Sequence, residues 1–95
     1  MKKEIKEKIN ELFNEMLKDI KVKWIQKEYS HKNIKRNKDI YISKTIGEYR
    51  LKAINISKEN IYNWEAQDRN DFCQWFWKKT TPYFFLKKDI NELIK

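Results

Sequence analysis

Apolar residues in the first twenty positions recur at helical intervals. Ile5, Ile9, Leu12, Phe13, Met16, Leu17 and Ile20 fall at steps of three and four, and so share one face of an amphipathic helix. Glu4 and Lys8 lie on the opposite face in the stabilising i,i+4 order. The spacing predicts a helix over 3–20. From Lys21 the period shortens: Val22 and Trp24 alternate with Lys21 and Lys23, which predicts a strand over 21–29. Residues 30–39 are polar, basic and aperiodic, and read as a loop. Ile40, Ile42 and Ile46 alternate with Tyr41, Ser43 and Thr45; Tyr49, Leu51 and Ala53 alternate with Arg50, Lys52 and Ile54. These predict antiparallel strands over 39–46 and 49–56, joined at Gly47-Glu48 by a turn in which Gly supplies the positive φ.

Helical spacing then returns. Ser57 is a suitable N-cap, and Ile61, Trp64, Phe72, Trp75 and Phe76 predict a helix over 58–79. A kink or break would fall near 69, where Asp68-Arg69-Asn70-Asp71 interrupts the apolar face. In this reading Phe72, Trp75 and Phe76 join Trp64 in the core, while Trp77 faces nearly the opposite way. Thr81-Pro82 matches a cap followed by proline in the first turn of a C-terminal helix over 82–94. The rival reading makes 83–87 a strand, with Asp89 and Glu92 forming the capping box of a shorter helix. The expected fold is a single small α+β domain, ordered α-β-β-β-α-α. Its three-stranded antiparallel sheet would be packed on one face by helices.

Composition supports a folded chain. Ninety-five residues form one domain, and thirteen Ile with fourteen aromatic residues provide a core despite the modest apolar fraction of 40%. One Pro and one Gly argue against a linker or a disordered segment. The single cysteine, Cys73, excludes an internal disulfide framework. No apolar run approaches the length of a membrane span, and the charged start does not resemble a secretion signal; the expectation is a cytoplasmic location, the host cytoplasm if the gene is a phage's.

The charge of +8 is unevenly placed. Four Lys balance four Glu over 1–17, and six basic residues balance six acidic ones over 59–95, so the whole excess falls in 18–58. There Lys27, Lys32, Lys35, Arg36, Lys38, Lys44, Arg50 and Lys52 would form a basic strand-and-loop surface able to follow a phosphate backbone, with tyrosines interleaved for stacking. The partner expected from this surface is nucleic acid or a nucleoprotein, or else an acidic protein surface. The counter-reading is solvation and edge protection by a Lys-rich strand. A second candidate surface is aromatic. Seven of the fourteen aromatic residues lie within 72–85, more than one core can face at once. Trp77, Tyr83, Phe84 and Phe85 are therefore the candidate partner-binding residues, for another protein or for a second copy of the chain.

The expected order α-β-β-β-α resembles that of double-stranded RNA-binding domains. The resemblance is one of topology. That family's Gly-rich loop and Lys-Lys-x-Ala-Lys helix start are missing, and Ser57-Lys58-Glu59-Asn60 stands where the second would be, so no residue role is carried over. In character the chain is similar to small products of phages and mobile elements, anti-CRISPR proteins among them, which implies an inhibitor or adaptor acting on host nucleic-acid defence.

Catalysis has little to stand on. One His and one Cys, far apart, supply neither a nucleophile–base pair nor a metal set, so no catalytic residue, metal or cofactor is expected. The remaining enzymatic reading is a metal-free ribonuclease using His31 with Lys32, Lys35, Arg36 and Glu28 or Glu48.

Overall fold

A computed structural model describes residues 1–25 and 34–93. Helix α1 runs Lys3–Ile20 and continues through a wider π-helical turn, Lys21–Ile25. Helix α2 runs Ile34–Glu59 and α3 Ala66–Phe84, and a short 3₁₀ turn, Ile90–Glu92, follows. Among the described residues there is no strand. The three helices pack against one another, and α3 touches both α1 and α2.

This overturns the α+β sheet. The strand expected over 21–29 is π-helical as far as Ile25, and its remainder lies outside the described residues. The strands expected over 39–46 and 49–56 are one continuous helix. A second period was hidden in the same residues: Ile42, Ile46, Tyr49 and Ala53, at steps of four, three and four, are all buried. The alternating partner Ile40 is 55% exposed. Gly47 makes no turn, because no glycine has positive φ. The likeness to double-stranded RNA-binding domains falls with the sheet.

The later boundaries move too. The helix expected over 58–79 is split: α2 ends at Glu59, and the chain turns through Asn60 and Asn63, both in the left-handed region at φ 50° and 54°. Asn60 suits that role, its side-chain carbonyl accepting from Trp64 N at 2.7 Å. Ser57 does not cap a helix start; it lies inside α2 and its hydroxyl donates to the Arg69 carbonyl at 3.4 Å. In place of a helix over 82–94, Pro82 lies inside the last turn of α3. The rival strand over 83–87 is also absent, although Asp89 does cap the 3₁₀ turn by accepting from Asn91 N.

The core is built from α1 (Ile5, Ile9, Leu12, Phe13, Met16, Ile20), α2 (Ile42, Ile46, Tyr49, Ala53) and α3 (Phe72, Phe76), closed by Trp64 and Ile90. α3 buries a narrow stripe, Asp68, Phe72, Phe76 and Thr80, at successive steps of four. Asp68 belongs to it because Lys2 Nζ lies 2.8 Å away, and because a carboxylate in the first turn of α3 meets the positive end of the helix dipole. At the other end α3 closes in a Schellman arrangement, with Lys87 N donating to Pro82 O and Leu86 N to Tyr83 O. Leu86 takes the left-handed position at φ 58° that glycine usually fills.

Candidate functional site

α3 presents two tryptophans to solvent on different sides. Trp77 borders α2 and Trp75 borders α1, so the two seams of the molecule each carry an exposed ring.

The α2–α3 seam is organised by Arg50. Four residues on from Ile46, it shares the buried side of α2 and is 6% exposed. Its guanidinium is held between two rings, 4.2 Å from the Trp77 centroid and 4.5 Å from that of Phe84. Nε donates to Thr80 Oγ1 at 2.9 Å, and a terminal nitrogen donates to Thr81 Oγ1 at 3.2 Å and to the Trp77 carbonyl at 3.3 Å. The hydroxyls of Thr80 and Thr81 in turn lie 3.0 and 2.8 Å from that carbonyl. Pro82 removes one helical N–H from this turn, the one that would reach the Lys78 carbonyl. Among the described residues no carboxylate pairs with Arg50. Burial holds its pKa below the usual guanidinium value. The positive charge is balanced by π faces and carbonyls at the C-terminal, negative end of α3.

Arg50 is therefore not a member of an exposed phosphate-binding surface, and of the eight expected basic residues only Lys38, Lys44, Arg50 and Lys52 have side chains that the structure describes. Lys52 pairs with Glu15 at 3.5 Å and lies over the Tyr49 ring. Lys38 and Lys44 remain at the surface of α2 without an ion pair among the described residues. Lys35 and Arg36 lie in the first turn of α2. Lys27 and Lys32, with His31 and Glu28 of the ribonuclease reading, fall outside the described residues. Of the aromatic candidates, Trp77 is 43% and Phe85 61% exposed, whereas Tyr83 and Phe84 are half-buried against the core. On the outer side of the same seam, Ile54, Asn70, Cys73, Gln74, Trp77 and Lys78 line an apolar groove of about 410 Å³.

The α1–α3 seam is built differently. Trp75, expected in the core, is 45% exposed: it lies about 60° from Phe72 and about 100° from Phe76, to one side of the narrow stripe that α3 buries. It lines a second groove of about 410 Å³ with Met1, Lys6, Ile9, Asn10, Lys78 and Lys79. Lys78 Nζ lies 4.7 Å from the Trp75 ring centroid, and Lys79 Nζ lies 4.8 Å from that of Phe13. Lys6, Lys78 and Lys79 make no ion pair among the described residues, and no carboxylate lines the groove. Three lysines without an ion pair thus line one groove with an accessible indole, and one of them, Lys78, places its ammonium over that ring. Regional charge counts hid this cluster: Lys6 and Lys78 belong to segments whose net charge is zero, and only the helix packing separates them from their acidic neighbours in sequence.

No group of three His, Cys, Asp or Glu side chains among the described residues is placed to hold a metal ion. Asp68 is taken by Lys2, and Asp71 accepts from Gln67 at 2.9 Å. No helix among the described residues is long and apolar enough to cross a membrane. No family model, curated protein or solved structure matches the chain.

Proposed function

We propose that the protein is a non-enzymatic nucleic-acid-binding protein whose contact surface is the lysine-lined α1–α3 seam. The observation that carries this reading is the convergence of Lys6, Lys78 and Lys79 on one groove with no carboxylate among its lining residues. A nucleic acid carries cations condensed along its phosphates; ammonium groups left without partners at a surface can neutralise those phosphates and release the cations, which adds salt-dependent affinity. The net charge of +8 draws such a partner in from any side, and the surface lysines of α2, Lys38 and Lys44 among them, add to that field. Lysine is a point charge that selects no base, so the expected binding follows the backbone.

The test is a titration with short DNA and RNA at two salt concentrations. Binding is expected to weaken steeply with salt, and changing Lys6, Lys78 and Lys79 together to Glu to abolish it. Absence of binding at low salt overturns the proposal.

A second reading rests on the apolar groove beside Trp77. Leu51 is 61% exposed on α2 near it, and no acidic residue lines it, which fits an apolar segment of an acidic partner protein, as an inhibitor or adaptor would use. An Ile54→Glu variant that folds normally but retains full activity toward such a partner would remove this reading.

A further inference from the structure

Resting on the nucleic-acid reading, we infer that the α1–α3 groove is a stacking site for an unpaired base, so that the protein binds single strands in preference to duplexes. The three lysines alone would serve either form. What separates the two is the floor of the groove.

Trp75 is 45% exposed and lines a groove between α1 and α3 that Ile9 and Lys6 of α1 also line. A duplex presents phosphates on a convex outer surface and keeps its bases stacked on each other. It can touch the rim lysines but cannot bring a flat apolar face to the indole. A single strand can turn a base inward while its backbone follows the rim. Base–indole stacking tolerates any base, because every base has a π face.

The present occupant of the ring shows how the exchange would run. Lys78 places its ammonium 4.7 Å from the Trp75 centroid, a cation–π contact that is weak at an exposed site. A base arriving on the indole displaces a weakly held group, and the long Lys78 side chain carries its charge to the adjoining phosphate. Lys79 lies over Phe13 and Lys6 stands on the opposite helix, so both helices contribute a lysine to the groove. By contrast, the Trp77 face is occupied by Arg50, which is locked by three hydrogen bonds and cannot make way.

The experiment compares oligothymidylate of about twelve nucleotides with a duplex of equal length, at low salt, on the full chain and on Trp75→Ala, Trp75→Tyr and the Lys6/Lys78/Lys79→Glu variant. The single strand is expected to bind more tightly than the duplex. Trp75→Ala should weaken single-strand binding roughly tenfold and leave duplex binding unchanged, with Trp75→Tyr restoring most of the loss. The Tyr variant also covers the case in which the Ala variant folds poorly. Equal binding of both forms, or a Trp75→Ala loss shared equally by the duplex, overturns the stacking site while leaving the nucleic-acid reading in place. Binding of neither form overturns both. Competition by inorganic polyphosphate as effective as that of the oligonucleotide shows an anion site only, and overturns the inference.

Discussion

Trp75 and Trp77 stand two residues apart on α3 and are exposed almost equally, at 45% and 43%. Both border a groove of about 410 Å³, but the charge beside each is held differently. Trp77 lies against a buried guanidinium that is fixed by rings, hydroxyls and a carbonyl, so the inner part of its seam is closed by polar contacts within the protein and only the outer groove is open. Trp75 lies under a flexible ammonium that nothing else holds, and its seam is open. A ring's exposure does not show whether it serves the fold or a partner; the commitments of the charge beside it do. Arg50 has spent its hydrogen bonds inside the molecule, and Lys78 has kept its own.

The largest expected effect is on the closed seam. Arg50→Ala removes the side chain between Trp77 and Phe84 and frees Thr80, a fully buried residue, from its donor. A loss of about 2–4 kcal/mol in urea-unfolding stability is expected, against less than about 1 kcal/mol for Trp75→Ala. Equal losses would erase the distinction between the seams.

Next in size is an alkaline effect on the α1–α2 contact. The buried Tyr49 hydroxyl donates to Asp19 Oδ2 at 3.1 Å, and burial, reinforced by that carboxylate, raises the phenol's pKa well above 10.0. A raised folded-state pKa means that the contribution is complete below pH 10 and is lost as pH rises above it. Lys2, raised by its hydrogen bond to Asp68, adds a loss of the same sign. Stability measured between about pH 8 and pH 11 should therefore fall less steeply for Tyr49→Phe than for the parent.

A smaller effect, of opposite sign, tests the helix that both seams depend on. A Cβ at Gly47 meets no atom within 4 Å, and its φ is not positive. Gly47→Ala is expected to stabilise the protein by about 0.5–1 kcal/mol, by removing backbone freedom from the unfolded chain. The hairpin reading of the same residue requires a loss.

That residue also marks where the sequence was and was not legible. The α1 stripe has one period only, and the six residues it buries are those its spacing puts on one face. The α2 segment carries two periods at once. Ile40 and Ile42 satisfy an alternation, while Ile42, Ile46, Tyr49 and Ala53 satisfy a helix, and β-branched isoleucine favours the first. A lone glycine in the middle looked like a turn, and packing against α1 and α3 decided otherwise. The site inherited the error. On a strand Arg50 faces outward with Lys52; on a helix it follows Ile46 by one turn and is buried. Trp75 was misplaced for a different reason, since the width of the stripe α3 buries depends on how closely its neighbours approach, and periodicity alone does not carry that. Lys6 and Lys78 are seventy-two positions apart, and only the packing of α1 on α3 brings them together.

The proposed binding depends on the open seam more than on net charge. Two charge reversals separate these directly. Lys44→Glu and Lys78→Glu change the net charge by the same amount at exposed positions, one on α2 and one beside Trp75. In a single-strand binding titration over a salt series, Lys78→Glu should weaken affinity severalfold more than Lys44→Glu and reduce the salt slope by about one, while Lys44→Glu leaves the slope nearly unchanged. Equal losses for the two variants, or a larger loss for Lys44→Glu, would rule out the open seam as the binding surface.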